Sequence, residues 1–194
     1  MDKISYALGM NIAQSLKASG LETINYTKFA EGLEVAFEGK EGEMDAQEAN
    51  QLLQQFFSEL QAKQHEGNIK AGKDFLAENT KKEGIVTLES GLQYEVINAG
   101  EGSMPAATDQ VECHYHGTLI DGTVFDSSVQ RGEPAVFPVN GVIQGWVEAL
   151  QMMPVGSKWK LYVPSDLAYG ERGAGNHIGP HTTLIFEVEL LAIK

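Results

Sequence analysis

The spacing of apolar residues changes near Gly84, and this change constrains the fold more than any other feature of the sequence. Before it, apolar residues recur every three or four positions, as Leu8, Ile12 and Leu16 do, which is the period of an amphipathic helix. After it, apolar and polar residues alternate, as in residues 184–190, which is the period of a half-buried strand. The chain therefore joins a helical half to a β-rich half, and an α+β fold is expected.

Three helices are predicted in the first half. The first ends at Gly20, the second is followed by Gly39 as its C-terminal cap, and the third begins after Asp45, a residue type that caps helix N-termini. No proline interrupts the third helix, which is expected to continue to about Lys82. The apolar faces of the second and third helices carry Phe29, Leu33, Phe37, Leu52, Leu53, Phe56 and Phe57.

The third helix is expected to be long. At about 1.5 Å per residue it would span roughly 55 Å, which exceeds the diameter of a small domain. Its middle, residues 61–68, has no apolar stripe, so we expect a solvated arm that joins two bodies. Gly67 and Gly72 each lower helix stability by about 1 kcal/mol relative to alanine, so the arm is expected to flex or break there.

The three helices contain too few residues for a stable core of their own. We therefore expect two copies of the chain to cover each other's apolar faces, which would make the first half a dimerisation module. The alternative is a small three-helix domain whose apolar faces meet within one chain. The projecting arm favours the dimer.

The second half contains signals of an antiparallel sheet. Asp121-Gly122 predicts a tight hairpin turn, because both positions tolerate positive φ angles. One short helix is expected around residues 145–152, and Cys113 is expected to face inward and pack in the core. Together these features predict a strongly bent antiparallel sheet wrapped on a short helix.

Charge and composition exclude several classes of partner. Asp and Glu number 27 against 14 Lys and Arg, so the formal net charge is −13 and nucleic acid or an anionic lipid surface would be repelled. No window approaches the roughly 18 consecutive apolar residues of a membrane-spanning helix. Residues 1–20 are interrupted by polar side chains, unlike a signal peptide, and Cys113 is the only cysteine. We therefore expect a cytoplasmic protein.

Five segments of the β-rich half resemble the FKBP-type peptidyl-prolyl cis-trans isomerases. The segments are VECHYHG (111–117), DGTVFDSS (121–128), VIQGW (142–146), LAYG (167–170) and FEVELL (186–191). The helical half, with SYALG at residues 5–9, resembles the bacterial Mip-like branch of that family. The resemblance implies a helical dimerisation module over 1–44, a long connecting helix over 45–83 and an isomerase domain over 84–194. In that domain a half-barrel of antiparallel strands would wrap one short helix.

The resemblance also implies a hydrophobic cup with Trp146 at its floor. The catalytic residues that it implies are Asp126, Tyr169, Tyr115, Phe125, Trp146 and Phe186. The substrate-binding residues that it implies are Val142, Ile143, Arg131, Phe137, Ala168 and Ile178. Asp126 would lie at the rim, paired with Arg131. Ala135 stands where the family commonly has an aromatic residue, so one wall of the cup is expected to be lower.

The implied activity is peptidyl-prolyl cis-trans isomerisation, with no cofactor and no covalent intermediate. The implied partners are unfolded or partly folded proteins with Xaa-Pro bonds, macrolide inhibitors of the family and a second copy of the chain. A V-like dimer would also hold its clients between two cups, as a chaperone does. The alternative is a non-catalytic or weakly catalytic folding chaperone that uses the same pocket for binding.

Two patterns also have simpler interpretations. On alternation alone, the aromatic residues of the cup would be ordinary core, and only the ordered set of segments favours a site. His114 and His116 alternate on one strand face, and His177 and His181 lie close in sequence, which raises the question of a metal site. Because no cysteine or carboxylate spacing accompanies them, these histidines are expected to be solvated and no metal is expected.

Overall fold

A computed structural model describes the whole chain, Met1–Lys194. Its residues form two compact units, Met1–Ala62 and Lys63–Lys194. The first unit is helical and the second contains every strand, as the change in apolar spacing predicts. No helix combines the length and the apolar character that a membrane span requires.

The predicted helices and their caps are present. They are α1 (Asp2–Ala18), α2 (Tyr26–Glu38) and α3 (Ala46–Asn79). Gly20 and Gly39 follow α1 and α2 with φ angles of 86° and 63°, the left-handed conformation that commonly ends a helix. The Asp45 side chain accepts a hydrogen bond from the Glu48 backbone N–H at 2.8 Å, so the predicted N-cap of α3 is confirmed.

The apolar side chains of the helical unit are not covered within the chain. Neither α1 nor α2 contains a buried residue. Among the predicted dimerisation residues, Ile12, Leu16 and Phe57 are half-buried, and the others are exposed, by fractions between 36% for Phe29 and 88% for Phe37. The exposed ones are Leu8, Phe29, Leu33, Phe37, Leu52, Leu53 and Phe56. The three helices therefore do not satisfy their apolar faces within one chain.

The α3 helix is continuous through both glycines at which a break was expected. It ends at Asn79, slightly before the expected Lys82. A Cβ atom at Gly67 would meet nothing within 4 Å, whereas one at Gly72 would lie 2.4 Å from Thr183 Oγ1. Gly72 therefore permits a close contact and does not mark a break.

Seven strands form one antiparallel sheet in the second unit. The strands are β1 (Ile85–Thr87), β2 (Gln93–Asn98), β3 (Gln110–Leu119), β4 (Val124–Ser127), β5 (Ala135–Pro138), β6 (Lys158–Val163) and β7 (Leu184–Ile193). Their order is β1-β2-β6-β7-β3-β4, and β5 also pairs with β3. Between β3 and β4, Gly122 has a φ of 88° and Asp121 accepts a hydrogen bond from the Thr123 backbone N–H at 2.9 Å. The predicted sheet and hairpin are confirmed.

The core lies between the sheet and a short helix. Helix α4 (Ser128–Arg131) is a single turn after β4, and α5 (Gln144–Leu150) is the predicted short helix. Gly145 lets α5 approach β6, because a Cβ atom there would lie 2.5 Å from Val163 Cγ1. The largest fully buried apolar residues are Leu92, Val111, Cys113, Val139, Leu150, Met153, Leu161, Val163, Leu184, Val188 and Leu190. Cys113 is fully buried in the core as predicted, and this burial raises the pKa of its thiol to about 12.

Candidate active site

Five aromatic side chains from five elements meet in one cluster of the second unit. They are Tyr115 from β3, Phe125 from β4, Phe137 from β5, Trp146 from α5 and Phe186 from β7. These five residues are called the aromatic cup below. Successive side chains of a strand point to opposite faces, so the alternation along β3 and β7 brings their aromatic residues to the buried side. The structure thus brings together five of the six aromatic residues predicted for the site, and the sixth, Tyr169, is not part of this cluster.

Trp146 lies at the centre of the aromatic cup. Its indole meets the rings of Tyr115, Phe137 and Phe186 edge-on, with centroids 5.5, 5.8 and 5.3 Å away. Such contacts are favourable beyond the area that they bury, because the positive edge of one ring faces the negative face of another. Only 4% of Trp146 is exposed, and its Nε1 has no hydrogen-bond partner. The floor of the cup is therefore apolar and held by ring contacts on several sides.

Gly117 sets the separation of two walls of the cup. Phe125 and Phe186 meet edge to face with their centroids 5.4 Å apart. A Cβ atom at Gly117 would lie 2.6 Å from Phe125 Cζ and 3.1 Å from Phe186 Cε1. Any side chain at this position would displace Phe125, so the walls depend on the glycine.

Three polar side chains form the rim of the cup. The Tyr115 hydroxyl donates a hydrogen bond to Asp126 Oδ2 at 2.5 Å, and Arg131 forms an ion pair with Asp126 Oδ1. The Arg131 Nη2 also donates to the Tyr115 hydroxyl oxygen at 2.8 Å. The Asp126–Arg131 pair that the resemblance implies is thus present, and both of its members contact the tyrosine.

These contacts favour the ionised form of Asp126. Partial burial alone would raise the pKa of Asp126, but hydrogen bonds from Tyr115 and Arg131 outweigh it and lower the pKa below its ordinary value. Burial, followed by the hydrogen bond to Asp126, raises the pKa of Tyr115, so its hydroxyl keeps its proton at neutral pH. The Asp126 side chain is still 44% exposed, which leaves it accessible to a bound substrate.

Two serines fasten the segment after the rim carboxylate to β3. Ser128 Oγ accepts a hydrogen bond from the Tyr115 backbone N–H at 2.7 Å and lies 3.1 Å from His114 Nδ1. Ser127 Oγ lies 3.0 Å from His116 Nδ1. Both histidines therefore contact serine hydroxyl groups, and no group of three or more His, Cys, Asp or Glu side chains is arranged to hold a metal ion. This role of the serines could not be predicted from the sequence, because a serine pair after an aspartate is also typical of a turn.

The remaining predicted site residues surround the cup. Val142, Ile143 and Ala168 are half-buried and pack against the same core, in which Ile178 is buried. Tyr169 is more exposed than these four. Burial, and then the negative charge of the rim carboxylate, raises the pKa of Tyr169. Its hydroxyl is therefore a protonated hydrogen-bond donor beside the cup.

The helical unit contains a groove of a different character. The groove has a volume of about 800 Å³, lies between α2 and the start of α3, and is lined by residues between Lys28 and Ala49. Its lining consists mainly of glycine, alanine, lysine and glutamate and has no aromatic ring. The aromatic cup, unlike this groove, combines an apolar floor with a hydrogen-bonded carboxylate, and it is therefore the candidate active site.

Two family models match the chain. Residues 101–191 match the model described as FKBP-type peptidyl-prolyl cis-trans isomerase. Residues 1–96 match the model described as domain amino terminal to FKBP-type peptidyl-prolyl isomerase. The two matches together extend over both units.

Several known proteins are similar over nearly the whole chain. The FKBP-type 22 kDa peptidyl-prolyl cis-trans isomerase of Escherichia coli strain K12 is 52% identical over 97% of this chain and 93% of the relative. The outer membrane protein MIP of Legionella longbeachae is 44% identical over 100% of this chain and 85% of the relative. Among solved structures, the crystal structure of FkpA from Escherichia coli matches with 37% identity and a TM-score of 0.79, covering 99% of this chain and 93% of that chain.

Proposed function

The chain belongs to the FKBP-type peptidyl-prolyl cis-trans isomerases, and on this premise we propose that the aromatic cup and its rim are the site at which it rotates Xaa-Pro bonds. The family and the α+β fold expected from the sequence are confirmed by these matches, and the protein is a peptidyl-prolyl cis-trans isomerase. One observation carries the assignment of the site: Tyr115 contacts both the edge-packed apolar floor at Trp146 and an ionised carboxylate, Asp126.

The reaction requires no nucleophile, because it only rotates a bond. Amide resonance opposes the rotation with a barrier of about 18–20 kcal/mol. In the twisted transition state this resonance is lost, so the carbonyl oxygen carries less negative charge and is less strongly solvated. An apolar cup around the proline ring therefore favours the twisted form over the planar form, which is differential binding of the transition state. Each ~1.4 kcal/mol of this preference raises the rate about tenfold.

The polar groups would orient the substrate and act on its charge. The Tyr169 hydroxyl, whose pKa is raised, and the Ile143 backbone N–H are the proposed donors to substrate carbonyl groups. Asp126, held by Tyr115 and Arg131, would face the twisting amide. A fixed negative charge there disfavours the planar form, whose carbonyl oxygen is the more negative, and so lowers the barrier.

Replacing the rim carboxylate tests this site. We expect Asp126→Ala to lower kcat/KM for isomerisation of a Leu-Pro tetrapeptide about tenfold, which corresponds to about 1.4 kcal/mol. Asp74→Ala is the matched control, because it also removes an ion-paired carboxylate, one that lies on α3 and pairs with Lys70. Circular dichroism checks that both variants keep their fold. If Asp126→Ala isomerises the peptide as fast as Asp74→Ala does, the carboxylate has no part in the mechanism.

We also propose that two copies of the chain pair through their helical units. The support is the exposure of apolar side chains on α1, α2 and the start of α3, which nothing in the same chain covers. A dimer presents two cups to one client, and the second binding event then benefits from a high effective concentration. Such a dimer would bind unfolded or partly folded proteins as well as isomerise them. In the alternative, a chaperone, binding at the same cup dominates and catalysis is weak.

We propose that macrolide inhibitors of the family occupy the same cup. Ala135, on β5 and half-buried against the core, makes one wall lower than an aromatic residue would. The affinity for a macrolide is therefore expected to be lower than where that wall is aromatic. Competition between a macrolide and the tetrapeptide tests the proposal, and turnover that persists at saturating macrolide would contradict it.

We propose a cytoplasmic location. The lone Cys113 is buried and forms no disulfide, which fits a reducing compartment. One similar protein carries the name outer membrane protein MIP, so the cell envelope is the alternative. Fractionation of cells that express the natural gene distinguishes the two.

A further inference from the structure

The segment 170–183, called the tip loop below, joins the aromatic cup to α3. It begins directly after Tyr169 and carries Ile178, and both are predicted site residues. Ala174 and Ile178 exchange backbone hydrogen bonds of 2.8 and 3.1 Å within it. At its base, the His181 N–H donates at 2.8 Å to the carbonyl of the first residue of the loop. Because these hydrogen bonds close the loop, a displacement of its base would also move Tyr169 and Ile178.

His181 holds an unfavourable backbone conformation at this base. It has a φ of 55° and is the only residue other than glycine with a positive φ. Such a conformation persists only where surrounding contacts determine it. One set of contacts comes from the loop itself, and the other comes from α3, where His65 packs edge to face against His181 with the ring centroids 5.3 Å apart.

The next turns of α3 continue this contact. Asn68 Nδ2 donates a hydrogen bond of 2.7 Å to the carbonyl oxygen of Pro180. Gly72 faces Thr183, and the missing Cβ atom would lie 2.4 Å from Thr183 Oγ1. At this contact the helix presents its backbone and the loop presents Thr183, a short and buried side chain, so little freedom is left to absorb an added methyl group. One face of α3 thus braces the tip loop from Pro180 to Thr183.

The C-terminal end of α3 is fixed to the sheet by a buried amide network. Asn79 Nδ2 donates to Gln93 Oε1 at 2.9 Å. Gln93 Nε2 donates to the Leu76 carbonyl oxygen and to Thr80 Oγ1, both at 2.9 Å. Asn79 and Gln93 are buried, and leaving buried polar groups without partners is costly. The helix therefore cannot slide along β2 to relieve a misfit at the tip loop.

We propose that His65, Asn68 and Gly72 are positioning residues of the isomerase. They fix the tip loop, and through it Ile178 and Tyr169, at the aromatic cup. The inference rests on the proposed site, because a fixed tip loop matters for turnover only if the cup is where the substrate binds. A change confined to this face of α3 then alters catalysis without touching the cup.

Gly72→Ala and Gly67→Ala are a matched pair that tests the brace in the full-length protein. Both add one methyl group to the same helix, with the same intrinsic gain in helix propensity. At Gly67 the added group meets nothing within 4 Å, whereas at Gly72 it meets Thr183 Oγ1 at 2.4 Å. We expect kcat/KM for the Leu-Pro tetrapeptide to fall about threefold to tenfold in Gly72→Ala, since small misplacements remote from the chemistry reduce rates. Gly67→Ala should match the wild type.

Two further readouts separate positioning from a loss of stability. The δ-methyl NMR resonance of Ile178 is expected to shift in Gly72→Ala and not in Gly67→Ala. The double variant Gly72→Ala/Thr183→Ala removes Thr183 Oγ1 and leaves the Thr183 Cβ 3.3 Å from the added methyl group, so most of the lost turnover should return. A merely structural role would lower stability without moving the Ile178 resonance.

A second pair keeps the test available if Gly72→Ala does not fold. Asn68→Asp replaces the donor to Pro180 by a carboxylate, which cannot donate a hydrogen bond at neutral pH. Gln64→Glu makes the same amide-to-carboxylate change at an exposed position of the same helix. We expect lower turnover and a shifted Ile178 resonance in Asn68→Asp only.

The possible outcomes distinguish this inference from the function on which it rests. If the two members of either pair show equal turnover and equal Ile178 resonances, the proposed positioning role is wrong. The proposed isomerase site would be unaffected by that result. If Asp126→Ala leaves turnover unchanged while Gly72→Ala shifts the Ile178 resonance, the proposed rim fails and the contact between α3 and the tip loop remains. A Gly72→Ala variant with normal turnover and a shifted resonance would show that the loop moves without serving catalysis, which also overturns the inference.

Discussion

The two units of the chain differ in whether they bury their apolar side chains. In Lys63–Lys194, leucines such as Leu161 and Leu190 are fully buried, whereas α1 and α2 in Met1–Ala62 contain no buried residue at all. Both units have clear apolar periodicity in the sequence. The comparison teaches that a periodic pattern specifies which face must be covered but does not specify whether the cover belongs to the same chain.

This difference matches a division of work. The self-contained unit holds the aromatic cup, which is the proposed site, and Trp146 is fixed there by three neighbouring rings, a fixed geometry of the kind that a catalytic site requires. The helical unit offers apolar surface in place of a site. Its proposed role is to bring two cups to one client.

We expect the greatest effect when a buried leucine is truncated. The pair Leu190→Ala and Leu52→Ala compares this with the truncation of an exposed leucine in the helical unit. Leu190 is fully buried, so its truncation leaves a cavity and is expected to lower the free energy of unfolding by about 2–5 kcal/mol. Leu52 is 56% exposed, so in dilute, monomeric protein its truncation should cost less than about 0.5 kcal/mol. Urea denaturation followed by circular dichroism at several protein concentrations measures both. Similar losses at every concentration would break the comparison, because Leu52 would then be covered within one chain.

Leu8→Glu tests what covers the helical unit. It places a charge on the apolar face of α1, and a buried unpaired charge opposes association. We expect the dimer to weaken about 100-fold, or roughly 2.7 kcal/mol, in sedimentation measurements. Tetrapeptide turnover should stay unchanged, while acceleration of the refolding of a proline-limited protein should fall.

Gln14→Glu is the matched control for Leu8→Glu, because it adds the same charge at a polar exposed position of the same helix. It should leave sedimentation and refolding unchanged. If the Leu8→Glu protein remains dimeric, the apolar face of α1 is not the interface. If it is monomeric and still accelerates refolding fully, one cup is enough for a client.

Arg131→Leu tests how the rim carboxylate of the self-contained unit is kept ionised, and we expect a smaller effect than for the substitutions above. In the wild type the pKa of Asp126 lies below its ordinary value, so the stability and turnover that depend on the ionised carboxylate are present above that ordinary value. They are lost only as the pH falls through the depressed pKa. Without the hydrogen bond and charge of Arg131 the pKa of Asp126 rises, so in the variant the loss begins at a higher pH.

The pH dependence of kcat/KM from neutral pH into the acidic range measures this shift. Arg131→Lys is the control, because it keeps the positive charge. In this variant kcat/KM should fall at a pH between those at which it falls in the wild type and in Arg131→Leu. An acidic limb of the pH profile that does not move in Arg131→Leu would show that the hydrogen bonds from Tyr115 and the Ser127 backbone hold the carboxylate ionised without Arg131.

Much of the fold could be predicted because the relevant signals are local. Gly39 ends α2 and Asp45 caps α3 through contacts within one turn, and Gly122 turns the hairpin through its own φ angle. The alternation along β3 fixes which of its side chains face the core. The proposed site residues come from the ordered segments of a known family, because periodicity alone does not separate them from ordinary core, and their roles stay a prediction.

The contacts that the sequence did not reveal join residues far apart in the chain. Gly67 and Gly72 look alike in the sequence, and only the approach of Thr183 distinguishes them. The bond from Asn68 to Pro180 likewise spans 112 positions. Through these contacts the last turns of α3 belong to the compact unit that begins at Lys63. The domain bounds of 1–44, 45–83 and 84–194 stay a prediction.

Gly117 has a consequence for how the cup can evolve. A methyl group there would overlap Phe125, so the two positions are epistatic: the effect of changing one depends on the residue at the other. A larger residue at Gly117 is tolerated only after Phe125 has become smaller, and a smaller residue at Phe125 opens the wall until Gly117 is filled. Any series of single substitutions at these two positions therefore includes a variant whose cup is either overpacked or too open. Because the single variants at Gly117 and Phe125 are impaired, a change in the shape of this wall is disfavoured. Any substrate preference that depends on that shape is then also retained.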